Sequence, residues 1–170
     1  GAQFVHFMLG PAVVALAVPL YENRRKVRRT ILPIVLALLA GSTTAVVSAV
    51  GIAVALGASM ETVTSLAPKS VTSPIAMGIA ERIGGLPSLT AGLVIITGIL
   101  GATIGTPLFN AMGVKDWRAR GFAMGVTAHG IGTARAFQVN EIAGTFAAIA
   151  LGLNGVVTAI LVPLLIVLFL

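Results

Sequence analysis

The polar residues of this chain fall in a few short clusters between long apolar runs. The first run, Phe4 to Leu20, is interrupted by Gly10-Pro11 and closed by Pro19. At about 1.5 Å per residue it is just long enough for a hydrocarbon core of about 30 Å, with a kink expected where Pro11 removes a helical hydrogen bond. Clean apolar spans are predicted over about 31–57, 86–112 and 143–170. Two further stretches, about 59–83 and 117–140, are too polar for an ordinary span. In the first, Pro68-Lys69-Ser70-Val71-Thr72-Ser73-Pro74 predicts two short helices joined by a break, with Pro74 in the first turn of the second helix and Thr72 or Ser73 as its cap. In the second, the predicted break centres on His129-Gly130-Ile131-Gly132, with a helix beginning near Gly132-Thr133.

A repeat shows in this layout. The spans after the broken stretches end at Pro107-Leu108 and Pro163-Leu164, as the first run ends at Pro19-Leu20. Aligning 9–20 with 153–164 gives identity at six of twelve positions, namely Leu9, Val13, Ala15, Val18, Pro19 and Leu20. The fold expected is an all-α integral membrane protein, a single polytopic helical domain over 1–170 with two broken or re-entrant segments and internal repeats.

Composition supports this class. Of the 170 residues 57% are hydrophobic and only 9% charged, with a mean hydropathy of +1.05, whereas soluble domains carry roughly 25% charged residues. The net charge of +6 sits mostly in Arg24, Arg25, Lys26, Arg28 and Arg29. No aromatic or groove-reading partners accompany these cations, so nucleic-acid binding is not expected and a positive-inside loop is. If 59–83 crossed fully, this loop and the basic loop at 115–120 would lie on opposite sides. If 59–83 is a re-entrant hairpin, both lie in the cytoplasm, Tyr21 and Trp117 mark one interface, and the two breaks point at each other from opposite faces. The second arrangement is preferred, in a bacterial inner membrane. The start at Gly1-Ala2-Gln3, with no methionine and no basic segment before the first apolar run, does not resemble a signal peptide and suggests a truncated chain.

There are no cysteines, and His6 and His129 are far apart with no carboxylate cluster to join them, so no metal and no cofactor is expected. Gly130-Ile131-Gly132 is not a dinucleotide fingerprint, and no enzyme signature stands out. The chemistry instead points to an anion. A helix that starts inside a membrane presents unpaired amides and a partly positive end, and two such ends facing each other make an anion site. Lys69, Ser70, Thr72 and Ser73 belong to one end; His129, Gly130, Gly132, Thr133 and Arg135 to the other. The two glycines allow close backbone approach. The Arg135 guanidinium suits a carboxylate, with snorkelling or pairing to Glu141 as the alternative. Lys69 is open between ligand, Glu61 and Glu81, and Glu81-Arg82 reads as a solvated pair. His129 titrates near neutrality and is the proton-coupling candidate, or else it bonds a broken-helix carbonyl. Asn154 is helix–helix glue or a second ligand contact, and Gly41-Ser42-Thr43-Thr44 reads as close helix packing.

The segments Leu9-Gly10-Pro11-Ala12, Ala15 to Tyr21, Lys69 to Met77, Ala128 to Ala136 and Gly152-Leu153-Asn154-Gly155 resemble the LrgB/CidB family over essentially the whole chain. The resemblance implies a further N-terminal hydrophobic portion. It also implies two descriptions of function. Bacterial members are described as holin-like or antiholin-like partners of small LrgA/CidA-type membrane proteins, acting as homo-oligomers on murein hydrolase activity and lysis. Transporting relatives carry glycolate, glycerate or pyruvate. The paired breaks favour a secondary carrier of small monocarboxylates working by alternating access, with the holin-like regulator as the alternative and a structural partner with a vestigial pocket as a weaker third.

Overall fold

The computed structural model describes residues 31–169 together with Tyr21; the first apolar run, its Pro11 kink, His6 and the basic cluster at 24–29 lie outside the described residues. The described residues form an all-helical bundle of six helices with no strand. They are α1 (Ile31–Ala55), α2 (Met60–Leu66), α3 (Ser73–Arg82), α4 (Pro87–Ala111), α5 (Trp117–Val139) and α6 (Glu141–Phe169). Among them α1, α4 and α6 are long and apolar enough to cross a membrane. Their outward faces carry a belt of exposed aliphatics, such as Ile95, Ile99 and Ile104 on α4 and Val156, Ile160 and Leu164 on α6. Such faces suit a lipid solvent, in which close packing and polar contacts hold helices together, since burial from lipid gains nothing hydrophobic.

Packing sets the directions. The first half of α1 and the first half of α6 share a cluster with the start of α5, built on Ile34, Leu38, Phe122, Val126, Phe146 and Ala150. The second halves of α1 and α6 meet at Val46 and Val162, together with Ala67 and Ile79 of the first broken stretch. Thus α1 and α6 run parallel, from an end marked by Trp117 to an end marked by Ser59. The α4 helix runs the other way. Gly105 approaches Met124, Gly101 approaches Ala128 and Gly98 approaches His129, an antiparallel register against α5.

Neither broken stretch crosses the bundle. After α3 the chain returns to α2, where Leu86 N–H donates to Ser65 Oγ (2.8 Å) and Thr90 Oγ1 donates to Ser65 O (2.9 Å). Gly85 lies so close that a Cβ there would sit 2.8 Å from the Ser65 nitrogen. The α5 helix reverses at His129, whose φ of 42° and ψ of −132° are non-helical. Residues 132–139 then lie back along 117–128: Gly132 packs on Ala128 and the Met124 carbonyl, and Ala136 clusters with Met124. The limbs are short: α2 has 7 residues and α3 has 10, about 10–15 Å, and even the longest, 117–128, reaches roughly 18 Å, well under a membrane crossing. The two hairpins therefore enter from opposite ends.

This topology gives the repeat a different form from the one read in the sequence. A span followed by a hairpin occurs at 31–82 and again, inverted, at 87–139. Inverted repeats of this kind are a common build of secondary transporters. The alignment of 9–20 with 153–164 involves residues outside those described. Nor do Pro107 and Pro163 end their spans, since both lie inside α4 and α6. Each lacks an N–H and crowds the carbonyl four residues back, yet both helices continue past it.

The Trp117 end is pinned by charge. Asp116 caps α5 by accepting the Arg118 N–H (2.8 Å) and pairs with its guanidinium (2.6 Å), which holds the carboxyl down to about 2. This depressed value means that the cap is intact at neutral pH and is lost only as pH falls from the ordinary carboxylate value through about 2. Arg120 closes the preceding loop by donating to Val114 O and Asn110 Oδ1 (2.5 and 2.7 Å) while lying 4.8 Å over the Trp117 ring.

Candidate functional site

The first tip is the non-helical turn between α2 and α3. Thr72 takes extended backbone angles as the N-cap of α3, and Pro74 follows in the first turn. The Thr72 side chain does not cap the helix: its Oγ1 is buried and has no hydrogen-bond partner. A hydroxyl left so is worth explaining, because burying one unpaired costs about 1–3 kcal/mol. Lys69 stands one turn back with its ammonium partly buried, donating to Ser70 Oγ (3.2 Å). Neither Glu61 nor Glu81 is its partner; both are exposed, and the described residues place no carboxylate within ion-pair distance of it. Ser73, the first residue of α3, is half-buried beside them. Glu81 and Arg82 sit exposed at the far end of α3.

The second tip is His129 itself. The helix resumes at Gly130, two to three residues before the start expected near Gly132-Thr133, because the reversal falls on the histidine. Its Nε2–H donates to the Val94 carbonyl of α4 (2.8 Å), and its own carbonyl accepts Thr133 Oγ1 (2.8 Å). His129 and Thr133 are buried. The glycines divide. Gly132 is packed so tightly that a Cβ would meet Ala128 and the Met124 carbonyl, whereas a Cβ on Gly130 would meet nothing within 4 Å. Gly132 therefore serves hairpin closure, and close approach at Gly130 has no neighbour to receive it.

A backbone with φ of 42° strains any residue carrying a Cβ, by about 1–3 kcal/mol. His129→Ala keeps that strain and loses the ring's bond to Val94. His129→Gly loses the same bond and releases the strain. The glycine variant is expected to melt higher than the alanine variant in detergent, by an amount equivalent to roughly 1 kcal/mol or more. Equal melting of the two would show that the positive φ is not the conformation in solution.

The tips are joined by two bridges. Val94 packs against Val71 and Ala76 of the first tip while its carbonyl holds His129. Asn154, near the midpoint of α6 and 1% exposed, donates through Nδ2 to Ser70 O (3.1 Å) and to Val126 O (2.9 Å). Its Oδ1 accepts Ser42 Oγ of α1 (2.6 Å) and Thr158 Oγ1 (3.2 Å). Both donors and both acceptor sites of the amide are in use within the protein.

Arg135 is not brought to the junction. It is exposed, donates to Gln138 Oε1 (3.3 Å), and borders a small recess with Phe109, Trp117 and Arg120. The fold-back of α5 carries it toward the Trp117 end, and Glu141 is not its partner among the described residues. A cavity of about 420 Å³ opens between α1 and α5, lined mainly by apolar residues including Ile34, Phe122, Val126 and Phe146, and includes neither Lys69 to Ser73 nor His129 to Thr133. What the sequence left unassigned is the receiving side of the site, above all the Val94 carbonyl and the Val126 carbonyl. Backbone atoms leave no trace in residue identity. Gly98, against which the His129 ring lies, did leave one, as part of the stripe Gly98, Gly101 and Gly105.

Residues 1–168 match the model of the LrgB-like family. Uncharacterized protein YwbG of Bacillus subtilis is 38% identical over 165 residues, which is 97% of this chain and 73% of that protein. Holin-like protein CidB of Staphylococcus epidermidis is 31% identical over 99% of this chain and 74% of its own length. Antiholin-like protein LrgB of Bacillus mycoides is 32% identical over 96% of this chain and 71% of its own. No solved structure matches the chain.

Proposed function

The chain belongs to the LrgB-like family, and from that premise we propose that it is a secondary carrier of small monocarboxylates of the glycolate, glycerate or pyruvate kind in a bacterial cytoplasmic membrane. One observation carries this reading: an ammonium with no carboxylate partner among the described residues, Lys69, beside a buried hydroxyl that finds no partner among them either, Thr72 Oγ1, where two hairpins from opposite ends meet. A charge inside a membrane protein is costly and is kept where a counter-ion visits. The N-terminal amides of α3 and the hydroxyls of Ser70 and Ser73 would add hydrogen-bond donors for a carboxylate at this point. The inverted span–hairpin order is the build that alternating-access carriers commonly use. His129 is the candidate for proton coupling in this scheme. Arg135, on the exposed side of the returning limb, has no part in it.

The second reading is a holin-type regulator of murein hydrolase activity, acting as a homo-oligomer with a small LrgA/CidA-type membrane protein. The names of these relatives speak for it more than for transport, since two are holin-like or antiholin-like and none names a substrate. Liposomes containing the purified chain separate the two. A carrier takes up labelled pyruvate or glycolate saturably and retains an entrapped dye. A holin-like assembly releases the dye, and release without saturable uptake would overturn the carrier reading.

A further inference from the structure

Asn154 has an unusual position among the buried polar residues: one side chain meets both hairpins and a spanning helix at once. At the second tip the reversal swings the amides after His129 out of the helical direction, so the last carbonyls of 117–128 lose the N–H groups that an unbroken helix would supply. Val126 is one of these, and Asn154 Nδ2 supplies its hydrogen bond. At the first tip Ser70 lies between α2 and α3, outside either helix, and the same nitrogen supplies its carbonyl. The two carbonyls are thus fixed on the two hydrogens of a single amide. The amide is in turn held by Ser42 from α1 and Thr158 from its own helix.

We infer that Asn154 is the positioning residue that locks the two hairpin tips in register, presenting Lys69 and Thr72 to the α5 tip only while both of its N–H bonds are made. The lock itself is independent of any cargo; what it presents rests on the carrier reading above. In a membrane interior the freed carbonyls have no water to turn to, so a tip that leaves Asn154 needs another donor. Moving either hairpin therefore means exchanging this bond, and the two tips cannot drift apart independently. Sharing both bonds through one planar group also couples the tips: a shift of Ser70 rotates the amide away from Val126.

The test is a distance between the hairpins. Gly78 on α3 has nothing within 4 Å of a Cβ, and Ala134 on the returning limb of α5 is exposed, so Gly78→Cys and Ala134→Cys accept spin labels without repacking. In the full chain in liposomes, the parent pair is expected to give one narrow distance distribution. Asn154→Asp, which keeps the shape and the acceptors but loses both donors, is expected to broaden it, and to weaken pyruvate binding roughly tenfold for the loss of two membrane hydrogen bonds of about 0.6 kcal/mol each. Ser42→Ala, which removes an acceptor contact and leaves both donors, is expected to keep the narrow distribution. Should Asn154→Asp fail to assemble, Asn154→Ser is read in its place, being too short to reach either carbonyl. A narrow and unshifted distribution in the donor-less variant overturns the lock. Broadening equal to it in Ser42→Ala also overturns it, because the residue is then only general helix glue. Broadening in Asn154→Asp with no pyruvate binding even in the parent sustains the lock and removes the carrier reading instead.

Discussion

Replacing Lys69 by glutamine is expected to lower saturable uptake of labelled pyruvate or glycolate by about a hundredfold or more, while the melting point of the protein in detergent stays within a few degrees. The two halves of this expectation have separate causes. In the resting protein Lys69 makes one hydrogen bond, to Ser70 Oγ, and pairs with no carboxylate among the described residues. Glutamine is of similar length and keeps a donor for that contact, so little folding energy depends on the charge. A carboxylate arriving at the tip depends on it heavily. Leaving one member of a buried ion pair uncompensated costs about 3–5 kcal/mol, which corresponds to at least a hundredfold in binding. Arg135→Gln is the control. Its guanidinium is exposed, bonded to Gln138 and carried away from the junction, so uptake should change by less than about twofold, as for ordinary surface substitutions. Unchanged uptake in Lys69→Gln, or equal losses in both variants, would remove Lys69 from the site. If the chain acts as a holin-like assembly, dye release should ignore Lys69 altogether.

The contrast between Lys69 and Arg135 measures how far the sequence can be read. Apolar runs near membrane length and polar stretches between them define which segments span, because lipid admits few alternatives. The breaks were equally legible. Two prolines around Lys69-Ser70-Val71-Thr72-Ser73 disfavour one continuous helix, and α2 stops before Pro68 while α3 starts with Pro74 in its first turn. At the second break the glycines suggested where the chain turns, yet the strain falls on His129, because the neighbours at Val94 and Gly98 fix its ring and backbone together. Sequence distance also placed Arg135 about two turns from the turning point without saying which way the limb travels. A returning limb carries it back about 9 Å at 1.5 Å per residue, out of reach of the tip. Asn154 shows the same limit in reverse. A lone amide in a membrane helix announces that it has partners, but the partners here are a hydroxyl from α1 and two backbone carbonyls that are 84 and 28 residues away.

The largest loss of stability is expected from Gly125→Val, which should leave no monodisperse folded protein after extraction, or lower its melting point by more than about 10 °C. Gly121 and Gly125 occupy one face of the first limb of α5, and that face lies on the backbone of α6. A Cβ on Gly121 would run into the Ala143 carbonyl, and one on Gly125 into the Ala147 carbonyl, with the Ala150 methyl 2.8 Å away. Backbone cannot swing aside as the end of a long side chain can, so the helices themselves would have to separate. Overpacking of cores typically costs about 1–3 kcal/mol where side chains can shift, and more where they cannot. Here the cost spreads, because Val126 follows Gly125 directly and its carbonyl is held by Asn154. A separation of α5 from α6 at this point stretches that bond, loosens Ser70 on the same amide, and removes the close contact on which two membrane helices of small residues depend. Gly92→Ala on α4 offers the opposite case, since nothing lies within 4 Å of its Cβ; relief of glycine's poor helix propensity should make it neutral or more stable by up to about 1 kcal/mol. Melting points of the two variants in the same detergent decide the matter. If Gly125→Val melts within a few degrees of the parent, α5 and α6 are not in backbone contact, and the anchoring of the second hairpin tip on Asn154 fails with them.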